Sequence, residues 1–509
     1  MLNNKTQSWQ SALETYSHPR VITLLFYGFS AGLPLLLIFG TLSLWLKKAG
    51  VDVATITYFS WAALGYSFKF IWAPLMDRLP LPILDARMGR RRSWLLVSQI
   101  IVVVAMSWMA FTEPTTNLEQ MAMAAVLLGF AGASQDIVID AYRIESAPQR
   151  YQAAMSAMYT AGYRTGMLVA GAGAFYIVAY FSGENEYLYE AWRITYLVMA
   201  VCMLVGIVTT LVITEPEVNK QVDSHIHSTI DYVRFLLLFT IFTAVFILVF
   251  VHLNPVATLS DLLHGRLGLD ATLVKFIGEM IRLAMSGGSA FVVARLLVNM
   301  GIVNKDMVLE TYVEPFLDFF RRYRATFIAV LLLIGFYRVS DIVLGTVAII
   351  FYEQLGFSEV EIATISKTFG LFMIIFGGFL GGVLTARYGV LRILLLGSIL
   401  AAITNLLFMI MASIGHDPLA LTIVIAADNV SAGLAGTAFI AYLSGLTNLS
   451  FTAMQYAIFS SVMTLFPKLI GGYSGSMIEN IGYSSFFLVT TIMGVPVILL
   501  ILYLIKREN

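Results

Sequence analysis

Gly132-Ala133-Ser134-Gln135-Asp136-Ile137-Val138-Ile139-Asp140-Ala141 sets two carboxylates inside a stretch, 120–142, that is otherwise apolar enough to cross a bilayer. A charge at mid-bilayer costs on the order of 3 kcal/mol even on lenient insertion scales. Such residues face a polar path or pair with one another. The same signature recurs along the chain: Arg164 in the next apolar stretch, Arg338 and Asp341 in a later one, Asp428 in another. Charges repeatedly stranded at membrane depth imply an all-α membrane protein with a polar route through it, which is the arrangement of a transporter.

Composition agrees. The chain has 509 residues, 59% hydrophobic and 12% charged, with a mean hydropathy of +0.83. Soluble domains carry about 25% charged residues, so the apolar excess must face lipid. The apolar runs are near the ~20 residues a spanning helix needs, and they lack the short alternation of barrel strands. Net charge is zero and no polyanionic partner is indicated, nucleic acid included. Cys202, the one cysteine, lies in an apolar run and has no internal disulfide partner. The polar first 20 residues carry no secretory signal, and Val21 to Leu46 is too long for one, so it is expected to be retained as the first helix.

The spans are expected at 21–46, 54–76, 93–112, 120–142, 153–181, 191–213, 235–253, 283–303, 326–352, 361–385, 391–413, 418–446, 452–475 and 484–505, about fourteen in all. Arg and Lys concentrate in the loop after span two (Arg78, Arg87, Arg90, Arg91, Arg92), after span four (Arg143, Arg150), before span nine (Lys305, Arg321, Arg322, Arg324) and at the tail (Lys506, Arg507). These segments share one side if both termini are cytoplasmic, the orientation the positive-inside bias favours. Residues 1–214 and 326–509 then form two six-helix bundles. The connection 215–325 carries two inserted helices, with 261–282 expected as an amphipathic helix at the outer interface.

Within these spans a few residue groups carry chemistry. Asp136 and Asp140, four apart, share a helix face. Two carboxylates in low dielectric repel, so one is expected to hold a proton near neutral pH, the property a proton-coupled carrier uses. Arg164 is the expected cation from the next span; the alternative is a structural ion pair that only joins helices. Tyr337-Arg338 and Asp341 place a cation and a carboxylate on one face and could satisfy each other. Lys69 either faces the path or snorkels. Lys367 lies near the outer half of its span, and Lys468 is a possible partner for Asp428, which neighbours Asn429. Gly32-Leu33-Pro34 is expected to break the first helix, which is tolerable only beside a cavity. Ser431 to Thr437 suits close helix packing. Trp61, Tyr66, Trp72, Tyr142, Tyr163 and Tyr337 could stack on sugar rings or simply pack. No nucleotide-binding loop and no metal or catalytic motif is present, so no enzyme, cofactor or metal is expected.

Two six-helix halves and the loop Asp77-Arg78 … Gly89-Arg90-Arg91-Arg92 resemble the major facilitator superfamily. That resemblance implies a gating latch at Asp77, Arg78, Gly89, Arg90 and Arg91, here with about ten residues separating the two parts of the motif. A faded echo at Gly381-Gly382, Arg387 and Arg392 lacks the Asp. More narrowly, the chain is similar to the AmpG muropeptide permeases. The similarity rests on Gly32-Leu33-Pro34, Lys69 to Arg78, Gly89 to Arg92, Ala133 to Val138, Gly162 to Met167, Lys367 to Gly370 and Gln455-Tyr456-Ala457. It implies a monomeric inner-membrane carrier that imports anhydromuropeptides with protons for cell-wall recycling and β-lactamase induction. Proton coupling would fall to Asp136, Asp140, Asp341 and Asp428. Gln135, Tyr163, Arg164, Tyr337, Arg338, Lys367, Asn429 and Lys69 would hold the anionic disaccharide peptide. Asp428 stands where that family has Glu, and Arg338 where it has Lys. Two other readings stand beside this one. The first is another solute, such as an acetyl-CoA-like ligand, which would need more cavity cations. The second is a non-transporting sensor or a membrane acyltransferase, which would need a His near an acid at depth, as His252 and Asp231 are not.

Overall fold

In a computed structural model the chain is helical, with no strand among the described residues. The structure describes residues 8–52, 55–56, 59, 62, 64–182, 187–217, 229–253, 271–345, 347–471 and 474–508. Thirteen helices among them are long and apolar enough to span a membrane. The expected span at 54–76 is described only as α2 (Leu64–Phe68), a 3₁₀ turn at Lys69–Ile71 and α3 (Ala73–Arg78). It follows α1 (Pro19–Lys48) and precedes α4 (Arg90–Ala110), α5 (Leu118–Ser146), α6 (Gln149–Ser182) and α7 (Tyr189–Val212). The inserted pair is α8 (Thr229–His252) and α9 (Ala271–Asn299). A short amphipathic α10 (Glu314–Arg322) leads into α11 (Phe327–Gln354), α12 (Ile362–Tyr388), α13 (Val390–Ile414), α14 (Pro418–Leu446), α15 (Thr452–Gly471) and α16 (Ser474–Glu508). Trp61 and the side chain of Lys468 lie outside the described residues.

Local chemistry starts these helices where expected. Pro19 opens α1 behind His18, whose ring accepts from the Arg20 N–H at 3.2 Å; proline fits the first helical position because its missing N–H has no partner there. Asp417 caps α14, accepting from Leu419 N (2.8 Å) and Ala420 N (3.1 Å). The short helix Trp9–Glu14 lies against the end of α12, with Arg387 over the Trp9 ring at 4.4 Å. Leu504 of α16 clusters with Leu391 at the start of α13. Both chain ends therefore sit at one end of the bundle, called here the termini end.

Two sequence expectations are corrected. The first helix does not break at Gly32-Leu33-Pro34. It stays helical through Pro34 to Ile38, and the discontinuity falls at Phe39 (φ −95°, ψ −98°). Gly32 is a packing residue instead: a Cβ there would lie 2.2 Å from the Tyr163 carbonyl oxygen of α6, and one on Gly162 would lie 1.9 Å from that of Leu25. Glycine lets the two backbones meet. Likewise, the described part of 261–282 is not a separate surface helix. From Ala271 it is continuous with the second inserted helix, and Arg282 is satisfied there, its Nε donating to the Phe250 carbonyl and its guanidinium covering that ring at 4.3 Å.

Glycine contacts recur in the later helices. In α12 and α14, Gly377 and Gly433 put would-be Cβ atoms 2.2 Å from the carbonyl oxygens of Val430 and Ile374. Between the early and late helices, α6 packs on α12 and α14, and α15 packs on α3 and α5. The first inserted helix, α8, lies against α2, where Phe246 and Phe250 each place a ring 5.4 Å from that of Phe68, and α9 packs on α8.

Candidate functional site

At the termini end the loop after α3 builds a buried charge knot. Gly89 adopts φ +81°, a left-handed conformation that glycine tolerates best, and Arg90, Arg91 and Arg92 follow it into α4. Arg91, fully buried, donates to Asp77 at 2.7 Å, to both Glu145 oxygens at 2.6 and 2.9 Å and to the Met76 carbonyl at 2.8 Å. Arg90 donates to the Asp77 carbonyl at 2.6 Å. Glu215, beyond α7, accepts from the backbone of Arg91 (2.8 Å) and Arg92 (3.0 Å) and so caps α4; burial pushes its carboxyl above the usual range.

Asp77 also reaches across the molecule. Its carboxylate accepts from Ala453 N (3.1 Å) and Met454 N (2.9 Å), the first turn of α15. A carboxylate at a helix N-terminus satisfies orphaned amides and meets the positive end of the dipole. Arg78 adds an ion pair to Glu310 at 3.8 Å and lies over the Phe451 ring at 5.4 Å. Further along the same seam Tyr16 donates to Phe379 O (3.0 Å) and Gln149 to Ala441 O (3.0 Å). These bonds join the early six helices to the late six at the termini end, and the structure is closed there.

One step deeper stands a second cluster. Lys69 Nζ lies 4.0 Å from Asp136 and 3.8 Å from Asp140. Tyr159 of α6 donates to Asp136 at 3.0 Å. Arg143, 0% exposed, donates to Asp140 at 3.0 Å and to Ser444 of α14 at 2.6 Å. The expected partner Arg164 is not there; Lys69 takes its place, because the 3₁₀ turn Lys69–Ile71 delivers the ammonium onto the α5 face that carries both acids. Lys69 is buried there and does not snorkel.

Arg164 instead lies within electrostatic reach of Arg338. Arg338 in turn acts on Asp341, and Asp341 on Asp428. Neither arginine makes an ion pair within 4.0 Å among the described residues, so Arg338 and Asp341 do not satisfy each other by direct contact. Asp428 accepts from Thr404 at 3.3 Å, and its electrostatic neighbour is another acid.

Three expected ligand residues point elsewhere. Gln135 is 0% exposed and donates to Ser30 of α1 at 3.1 Å, so it joins helices. Tyr337 is 8% exposed, its ring stacked 4.4 Å from Phe439 and its hydroxyl bonded to Leu394 O at 3.1 Å. Asn429 returns its amide to Ile425 O at 3.0 Å. Tyr163 packs beside Tyr159, with ring centroids 6.0 Å apart. Lys367 is exposed on a π-helical turn, Ile362–Phe369. Sequence reasoning missed Arg143, Glu145, Tyr159 and Glu215 as members of these clusters. The run Asp140-Ala141-Tyr142-Arg143 carries a signal for one of them: three-residue spacing puts Arg143 on the Asp140 face.

A family model described as Major Facilitator Superfamily matches residues 79–337 and 326–509, the chain from residue 79 onward. The chain belongs to the Major Facilitator Superfamily. Among curated members it is 29% identical to "Putative transporter AmpG 4" of Rickettsia conorii, over 96% of this chain and 97% of that one. It is also 29% identical to the anhydromuropeptide permease of Escherichia coli K12, over 96% and 80%. Solved superfamily structures share the fold alone. The proton:xylose symporter XylE bound to 6-bromo-6-deoxy-D-glucose has a TM-score of 0.56 at 12% identity, covering 97% of this chain and 95% of that one. A variant of the Escherichia coli fucose:proton symporter FucP has 0.55 at 9%, covering 97% and 99%. Superfamily membership makes the chain a membrane transporter.

Proposed function

We propose that this transporter imports anhydromuropeptides across the bacterial inner membrane, driven by protons, for cell-wall recycling, with a consequent link to β-lactamase induction. The observation that carries the substrate class is that Arg164 and Arg338, two membrane-depth cations from opposite halves, lie within electrostatic reach of each other, neither neutralised by direct ion pairing among the described residues. Like charges brought together in low dielectric are costly unless an anion joins them. A lactyl-peptide carboxylate is such an anion, and the full-length similarity to AmpG transporters points the same way. Proton coupling is assigned to the Lys69–Asp136–Asp140 cluster, with Asp136 as the carrier and Asp341 and Asp428 as a second acidic pair. The halves are 1–214 and 326–509, flanking the linker 215–325. Both termini face the cytoplasm, so the closed termini end is the inner gate. A monomer suffices for this scheme.

Uptake of radiolabelled disaccharide anhydromuropeptide into proteoliposomes of controlled orientation tests it. Accumulation that requires an inward proton gradient is the expected result. Flat uptake by folded protein would overturn the substrate assignment, and accumulation indifferent to the gradient would overturn the coupling.

A further inference from the structure

Among the described residues, Arg143 touches both the acidic cluster and the opposite half of the molecule. One arm of its guanidinium holds Asp140 at 3.0 Å. The other donates to Ser444 of α14 at 2.6 Å, with longer contacts to Gln152 and Ser156 at 3.4 Å. Its plane lies 5.0 Å over the ring of Tyr456 in α15. Ser444 and Tyr456 are ligands only while the termini end is closed, since they belong to the half that must move away.

The charge balance around it is tight. Lys69 and Arg143 face Asp136 and Asp140, two cations to two carboxylates. Among the described residues, the remaining titratable groups that face them are the neutral phenols Tyr66 of α2, Tyr159 and Tyr163 of α6, and Tyr456 of α15. A proton on either acid leaves this buried set one positive charge in excess. Breaking a buried pair by neutralising one partner is strongly destabilising because the other charge stays uncompensated. Arg143 bears that excess at the point where it bridges the seam, and opening the seam exposes it to water.

We propose that Arg143 is the positioning residue that converts protonation of the Lys69–Asp136–Asp140 cluster into opening of the termini end. This rests on the proton-coupling reading above but needs no particular substrate. Its direction suits import: the unprotonated cluster keeps the seam closed, and the protonated one releases it inward.

The test uses the full chain in nanodiscs without substrate, in a Cys202→Ser background. Spin labels at Arg150 and Leu449, on opposite sides of the seam, report its opening by pulsed electron–electron distance measurement. Between about pH 8 and about pH 5.5 the open-to-closed ratio should rise by up to about tenfold per pH unit, the limit for one linked proton. Arg143→Gln should flatten this slope, and Arg143→Lys should restore part of it. Ser444→Ala, which removes one closed-state ligand and leaves the cluster intact, should move the opening midpoint to higher pH. A slope that survives Arg143→Gln, or a midpoint unmoved by Ser444→Ala, would overturn the proposal, as would a parent protein whose seam ignores pH. Because no muropeptide is present, a failed substrate assignment leaves these outcomes intact.

Discussion

Asp136 and Asp140 illustrate how residue chemistry divides between sequence and structure. Their four-residue spacing by itself places them on one helix face, because helical periodicity is a property of the chain. Their cation was not readable, since a partner is chosen by packing: Lys69, far back in sequence, reaches them, whereas Arg164 in the adjacent span does not. Asp136→Asn is expected to abolish gradient-driven accumulation while exchange of substrate continues; accumulation against a gradient by this variant would remove Asp136 from the proton path. Lys69→Ala leaves the acids with one cation and should destabilise the protein by about 3 kcal/mol. Adding Asp140→Asn should return much of that loss, read as thermal unfolding in detergent. If the double variant is no more stable than the single, the pairing contributes little. The ligand aromatics show the converse. Tyr337 carries the residue type that binds sugars, yet the ring and hydroxyl are both used up inside α11, α13 and α14.

Helices here are held by two devices, backbone capping and glycine contact. Asp77 is read from sequence as a loop acid within a charge motif. Only the tertiary arrangement shows that its carboxylate serves as the N-terminal cap of α15, whose first turn holds Ala453 and Met454, in the other half of the chain. Capping contributes about 1 kcal/mol, with a further contribution of a few tenths to about 1 kcal/mol from the dipole. Asp77→Ala should therefore loosen the closed seam. The distance between spin labels at Arg150 and Leu449 should then lengthen at about pH 8, where the parent seam is closed; an unchanged distance would mean the cap is not part of the gate. For the glycine device, Gly162→Val must push α1 and α6 apart, since even a Cβ at that site would sit 1.9 Å from the Leu25 oxygen. Overpacking of this kind costs about 1–3 kcal/mol or more. Gly436→Ala, with nothing within 4 Å of the added atom, should leave the melting temperature where it was. The helix break expected at Gly32-Leu33-Pro34 belongs to this scale too: the glycine signal was real, but it marked an approaching neighbour.

Taken whole, the early and late helices meet at a seam, with the inserted α8 resting on α2 and α9 on α8. Reporter fusions test its orientation. Green fluorescent protein joined at either terminus should fluoresce in cells, while alkaline phosphatase placed in the Glu353–Glu361 loop should be active; the reverse pattern would invert the assigned gate and place the closed seam outside. Hydropathy, length and the distribution of Arg and Lys determined the helical membrane class, the approximate spans and the residues too costly to be idle at depth. They could do so because lipid forces backbone groups to pair within each helix and penalises every buried charge, terms that act locally on the sequence. The tertiary structure alone decided which charges meet. It set Lys69 between two acids, brought Arg164 near Arg338, gave Asp77 a helix to cap and gave Arg143 a hold on both halves. Those choices depend on the angles and close contacts between helices distant in sequence, and Coulomb interactions that fall off with distance cannot be assigned until those contacts are known.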